Sequence, residues 1–113
     1  MPKDNPELLA RMKELLPGYY TERDGYDWYC LAPNNTDHGR VAEDFVKRDD
    51  ARRVMLWLAG DPLPKGWSIK PARPNGNSCH VTVEGQYSDA TIWVRPCLTL
   101  FPNRRDALLA GTA

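Results

Sequence analysis

The stretch from Trp67 to Arg95 most constrains the fold of this chain. Asn75-Gly76 is its strongest turn dipeptide, because a two-residue hairpin loop needs positive φ at its centre, and Cys79-His80-Val81-Thr82-Val83 follows in strict apolar and polar alternation. A period of two puts alternate side chains on opposite faces of a half-buried strand. A second turn between Gly85 and Asp89 leads into Thr91-Ile92-Trp93-Val94-Arg95. On the other side, Trp67-Ser68-Ile69-Lys70 begins a strand, which Pro71 and Pro74 confine to a sheet edge or cut short because proline donates no ladder hydrogen bond. At least three consecutive antiparallel strands in a meander are therefore expected.

Helices flank this sheet. Asn5 can cap and Pro6 suits the first helical position, and Leu8, Leu9, Met12, Leu15 and Leu16 recur at helical spacing before Pro17-Gly18 stops the run. The pattern predicts a helix over 6–16. Tyr19-Tyr20 and Tyr26 to Leu31 favour β structure, with Asp24-Gly25 as a turn signal, so this region reads as a hairpin or one strand with an irregular lead-in. Residues 32–39, Ala-Pro-Asn-Asn-Thr-Asp-His-Gly, form a loop by composition.

Between Arg40 and Ala59, acids precede bases by four residues at Glu43/Lys47, Asp44/Arg48 and Asp49/Arg53, which supports helix. The apolar residues split into two stripes, Val41 with Phe45 and then Ala51, Val54, Met55 and Leu58. A break is expected near Asp49-Asp50, with either aspartate capping a helix that runs to Ala59 and stops at Gly60. The preceding 40–48 can be a short helix or a strand. Asn103 to Ala110 closes the chain as a short helix, with Pro102 or Asn103 near its start and Gly111 past its end.

The expected fold class is α+β, an antiparallel meander sheet packed with an N-terminal, a central and a short C-terminal helix. With 113 residues the chain is one domain, whose ends at 1–4 and 111–113 are expected to fray.

Charge and composition narrow the function. The 15 basic residues equal the 15 acidic ones, so no global field draws the chain to nucleic acid or an acidic membrane. The sequence has no apolar run near the roughly 18 residues of a membrane span, and Met1-Pro2-Lys3-Asp4-Asn5-Pro6 lacks the apolar core of a secretion signal, so a cytosolic location is expected. Cys30, Cys79 and Cys97 are odd in number and widely spaced, which suits reduced thiols better than disulfides. Asn34-Asn35-Thr36 is then a chance glycosylation match.

Catalytic signals are sparse. His38 beside Asp37 reads as an exposed loop histidine rather than a general base. Cys79 and His80 are neighbours on a strand and point to opposite faces, so they cannot form a nucleophile and base pair. Cys30 or Cys97 would have to meet His80 in space. Metal-ligand spacing and a glycine-rich phosphate cradle are absent, and Glu22, Asp24 and Asp27 read as a solvated acidic turn. No cofactor, metal or catalytic group is expected. A helix-turn-helix is excluded by the long β-type stretch between the first two helices.

In outline the chain resembles small bacteriophage domains described as α/β/α sandwiches. The features concerned are the N-terminal helix, the central helix before Gly66-Trp67-Ser68-Ile69, the hairpin through Asn75-Gly76 to His80-Val81-Thr82-Val83, and the closing Asp106-Ala107-Leu108-Leu109-Ala110. Pro102 and the loop from Pro33 to Gly39 depart from that outline. The resemblance implies a phage or prophage origin, a bacterial host cytoplasm, and binding of a host protein, for instance as an anti-CRISPR inhibitor of a defence complex.

The leading expectation is thus a non-enzymatic protein-interaction module rich in Trp and Tyr anchors. Trp57 and Trp93 each lie off the main apolar stripe of their elements, and Tyr87 sits in a turn, so these three with Arg52, Arg53, Arg104 and Arg105 are the candidate interaction residues. The alternative is a nucleic-acid-binding accessory protein using the four arginines, with Tyr26, Trp28, Tyr87 and Trp93 as stacking candidates. A small cysteine-dependent enzyme built on His80 ranks third.

Overall fold

Valines 81 and 83 are completely buried while Thr82 between them and the flanking His80 and Glu84 are not, which is the alternation read from the sequence. The computed structural model describes residues 5–33, 40–70 and 80–112. Within them β1 (Tyr20–Asp24), β2 (Asp27–Leu31), β3 (Arg40–Phe45), β4 (Ser68–Lys70), β5 (His80–Glu84) and β6 (Asp89–Trp93) form one antiparallel sheet in the order β1-β2-β3-β6-β5-β4. The expected α+β class and meander are both present, and β4 is an edge strand, as its flanking prolines suggested. The Asn75-Gly76 turn, the two prolines after Lys70, and the loop at 34–39 lie outside the described residues.

The helices are α1 (Pro6–Leu15), α2 (Arg48–Leu58), α3 (Val94–Leu100) and α4 (Arg105–Thr112), with a 3-10 turn at Pro102–Arg104 leading into α4. Asn5 caps α1 as expected, its Oδ1 accepting the Glu7 and Leu8 amides at 3.0 and 3.2 Å. Leu8, Met12 and Leu16 from this region join a single core with Ala51, Val54, Met55 and Leu58 of α2 and with Cys97, Phe101 and Leu108. Opposing them are Cys30, Ala42, Ile92, Val81 and Val83 from one face of the sheet. Each large side chain so buried contributes about 1.5–3 kcal/mol. All helices of the described residues feed this one core, giving two layers where the phage-domain resemblance implies three.

The ambiguous 40–48 segment is a strand up to Phe45. Val41, Ala42 and Phe45 are buried because β3 pairs with both β2 and β6. The expected Glu43/Lys47 and Asp44/Arg48 helical pairs therefore do not form. Asp44 instead sits at φ 71°, a left-handed conformation that aspartate tolerates better than bulky residues, and its Oδ2 accepts the Thr91 hydroxyl at 3.0 Å. The break comes at Val46–Lys47, ahead of Asp49-Asp50: the Val46 amide donates to Ser88 Oγ, and Lys47 is the N-cap without a side-chain cap bond. In α2 Asp49 pairs with Arg52 and Asp50 with Arg53, one residue closer than the spacing expected.

The C-terminal third differs most from expectation. Strand β6 stops at Trp93, and Val94 and Arg95 open α3 instead of continuing the strand. Pro96 is the third residue of that helix, where a missing amide hydrogen costs no intrahelical bond. Val94, Cys97 and Phe101 are buried at helical spacing, so tertiary packing outweighs the β preference of the sequence. Helix α4 runs through Gly111 to Thr112 rather than ending before the glycine.

Candidate interaction surface

The two described cysteines are core residues. Cys30 and Cys97 donate weakly to the Ala51 and Val41 carbonyls, each at 3.7 Å. Burial pushes the Cys30 thiol far up and the Cys97 thiol up to about 12. His80 projects from the opposite face of the sheet, edge-on to Trp93 at 5.4 Å between ring centroids. The sheet thus separates both thiols from His80; Cys79 and His38 lie outside the described residues. Among the described residues no group of His, Cys, Asp and Glu could hold a metal ion, and no helix is long and apolar enough to cross a membrane.

The acidic turn is built into the hairpin. Gly25 at φ 63° makes the two-residue loop between Asp24 and Asp27. Glu22 accepts the Tyr29 hydroxyl at 2.8 Å and Asp24 pairs with Arg40 at 2.8 Å. With Glu43, Asp44, Glu84 and Asp89, these carboxylates occupy the sheet face turned away from the helical core, countered there by Arg40 and Lys70. Trp93, half-buried beside His80, belongs to this acid-rich face.

The candidate interaction residues separate into three groups. Trp57 is only 4 % exposed and cannot serve as a surface anchor, because α2 is enclosed between the sheet, α1 and the 3-10 turn. Arg104 is part of that enclosure: its Nε and Nη2 donate to the Trp57 and Asp61 carbonyls, satisfying the end of α2. Arg52 is 8 % exposed and held by Asp49 at 3.0 Å, a structural ion pair rather than an open cation. Arg105 is exposed on α4. Arg53 and Tyr87 are both exposed and line one hollow.

They meet at a hollow of about 400 Å³ between the start of α2, the connector before β4 and the β5–β6 turn. Lys47, Asp50 and Arg53 supply one wall, Lys65 and Trp67 the second, and Tyr87 the third. Trp67 is clamped: its ring lies 6.1 Å from that of Phe45, and a Cβ on Gly85 would fall 2.4 Å from it. The Gly85 amide donates to the Ser88 carbonyl at 2.8 Å, closing the turn that presents Tyr87. Tyr87 is 51 % exposed and its ring carries Lys47 Nζ at 4.0 Å from the centroid. Asp50 lies 3.5 Å from Arg53, and desolvation raises its pKa above the ordinary carboxylate value against the pull of Arg53 and Lys47.

A second hollow of about 500 Å³ adjoins the first across Arg53, Pro64 and Lys65 and is lined further on by Glu7, Arg11 and Asp61. Arg11 is engaged there by Asp61 and Glu14. Sequence reading missed Lys47, Lys65 and Trp67, since none of them marks a motif; only their convergence on Tyr87 singles them out. No family model, no curated protein and no solved structure matches this chain.

Proposed function

We propose that this chain is a non-enzymatic protein-interaction module that docks its partner at the hollow around Tyr87. The observation that carries the reading is the half-exposed Tyr87 ring, held beneath Lys47 next to the immobilised Trp67 and the Arg53 guanidinium. Tyrosine, tryptophan and arginine gathered in a pocket have the composition of interface hot spots, where rigid aromatic area costs little side-chain entropy. The deep burial of Cys30 and Cys97, away from His80, also takes support from a cysteine-based enzyme.

A second reading, a nucleic-acid-binding accessory protein, draws on Lys47, Arg53 and Lys65 around two aromatic rings. The narrower form of the first reading, a phage-encoded inhibitor of a host defence complex acting in the bacterial cytoplasm, is supported by the outline resemblance alone.

Affinity purification from nuclease-treated and untreated bacterial lysate, at low and high salt, tests both. The expected result is a stoichiometric protein that survives nuclease and is lost from Tyr87→Ala and Arg53→Glu but retained by Arg105→Ala. Equal recovery on all variants would overturn docking at this hollow, and recovery of nucleic acid alone would move the assignment to the second reading.

A further inference from the structure

We infer that the hollow around Tyr87 receives an acidic segment of a partner polypeptide, one that places carboxylates at the rim and an apolar side chain on the aromatic floor. This inference rests on the docking reading above and adds to it the chemistry of the occupant. Lys47, Arg53 and Lys65 line the hollow together with a single carboxylate, Asp50, which pairs with Arg53, in a chain whose total charge is zero. The compensating acid lies largely elsewhere, on the sheet face that carries Glu22, Glu43 and Glu84. The molecule is therefore polarised, and an approaching anion is drawn to the hollow and repelled from that face. Trp67 and Tyr87 add an apolar surface that a purely ionic ligand would leave unused.

A nucleic-acid strand fits the same surface poorly. Its charge repeats at every nucleotide and requires a continuous cationic track. Beyond Arg53 and Lys65 the surface continues into Glu7 and Asp61, and the Arg11 there is already bound by carboxylates. A polypeptide with a local acidic cluster satisfies the hollow without meeting those acids.

Fluorescence anisotropy with three labelled probes tests the inference: a short Asp/Glu-rich peptide with a central Phe, the same peptide with Lys at every acidic position, and an oligothymidine of equal length. Binding is expected for the acidic peptide only. Raising the ionic strength from about 0.1 M to about 1 M, which shortens the screening length from about 10 Å to about 3 Å, should weaken it about ten-fold or more. Lys47 and Lys65 are both exposed, so Lys47→Glu and Lys65→Glu should fold normally by circular dichroism yet lose the acidic peptide. Absence of acidic-peptide binding, binding indifferent to salt and to both reversals, or equal or tighter binding of oligothymidine would each overturn the inference. If the acidic peptide fails while a lysate protein is still lost from Tyr87→Ala, docking at the hollow stands and only the acidic occupant falls.

Discussion

The Arg104 guanidinium reaches back to the end of α2, donating from Nε to the Trp57 carbonyl at 2.7 Å while lying 5.4 Å from the centre of the Trp57 ring. One side chain thus completes the hydrogen bonding of a helix end and covers the indole that the helix would otherwise expose. A second donation, from Nη2 to the Asp61 carbonyl at 2.9 Å, fixes the chain leaving α2.

Arg104→Ala should therefore destabilise the fold by about 2–3 kcal/mol, since hydrogen bonds from a charged donor to part-buried carbonyls are lost together and Trp57 gains solvent. Urea denaturation measures this. Arg104→Lys should recover less than half, because an ammonium cannot present the two fixed donors. A loss below about 0.5 kcal/mol for the alanine variant would show that the contact is ornamental.

Gly85→Ala tests the clamp on Trp67. The new Cβ would lie 2.4 Å from the indole, so the ring must move off Phe45, at about 1–3 kcal/mol for a small-to-large change in packed surroundings. The Trp67 indole N–H resonance should shift, and partner binding at the adjoining hollow should weaken. An unchanged spectrum and stability would mean that the turn absorbs the methyl group.

Two aspartates should titrate in opposite directions. The Arg11 hydrogen bond holds Asp61 below the ordinary carboxylate pKa, so this pair contributes stability present above the unfolded value and lost as pH falls through the folded one. Desolvation holds Asp50 above its ordinary value, so its contribution runs the other way: stability falls as pH rises from the unfolded value through the folded one. Carboxyl NMR titration should show Asp61 low and Asp50 high. Arg11→Gln should return Asp61 towards normal and leave Asp50 unmoved; the stability change should be small and salt-sensitive, because Arg11 is exposed.

Cys30 and Cys97 should resist alkylation in the folded protein. At pH 8 a thiol with a pKa of about 12 is ionised at about one part in ten thousand, and both sulfurs are buried as well. Peptide mapping after iodoacetamide treatment should find both sites modified at least about a hundred-fold more slowly than in urea. Fast native modification of either would reopen thiol chemistry.

Much of this architecture was legible from short-range pattern. Asn5 and Pro6 announced α1, Asp24-Gly25 the first hairpin, and the Val81/Val83 alternation the buried side of β5. The segment at 40–48 resisted because its charges follow a helical period while Val41, Ala42 and Phe45 are claimed by neighbouring strands. Helix α3 was hidden because β-favouring Val94, with Arg95, reads as the end of the strand that begins at Thr91. Of the five side chains argued to make the candidate site, two, Arg53 and Tyr87, were named from sequence. Lys47, Lys65 and Trp67 were not, because nothing along the chain says that residues 47, 65 and 87 line one hollow.

Sequence alone determined the α+β class, the meander and the first helix, because caps, turns and side-chain periodicity act between residues a few positions apart. Only the tertiary structure decided that Trp57 is core, that Arg104 closes a helix end, that the carboxylates gather on one sheet face, and that a cationic aromatic hollow forms on another side. Those properties depend on which distant side chains exclude water from one another, and contacts between residues some twenty to fifty positions apart leave no local period to read.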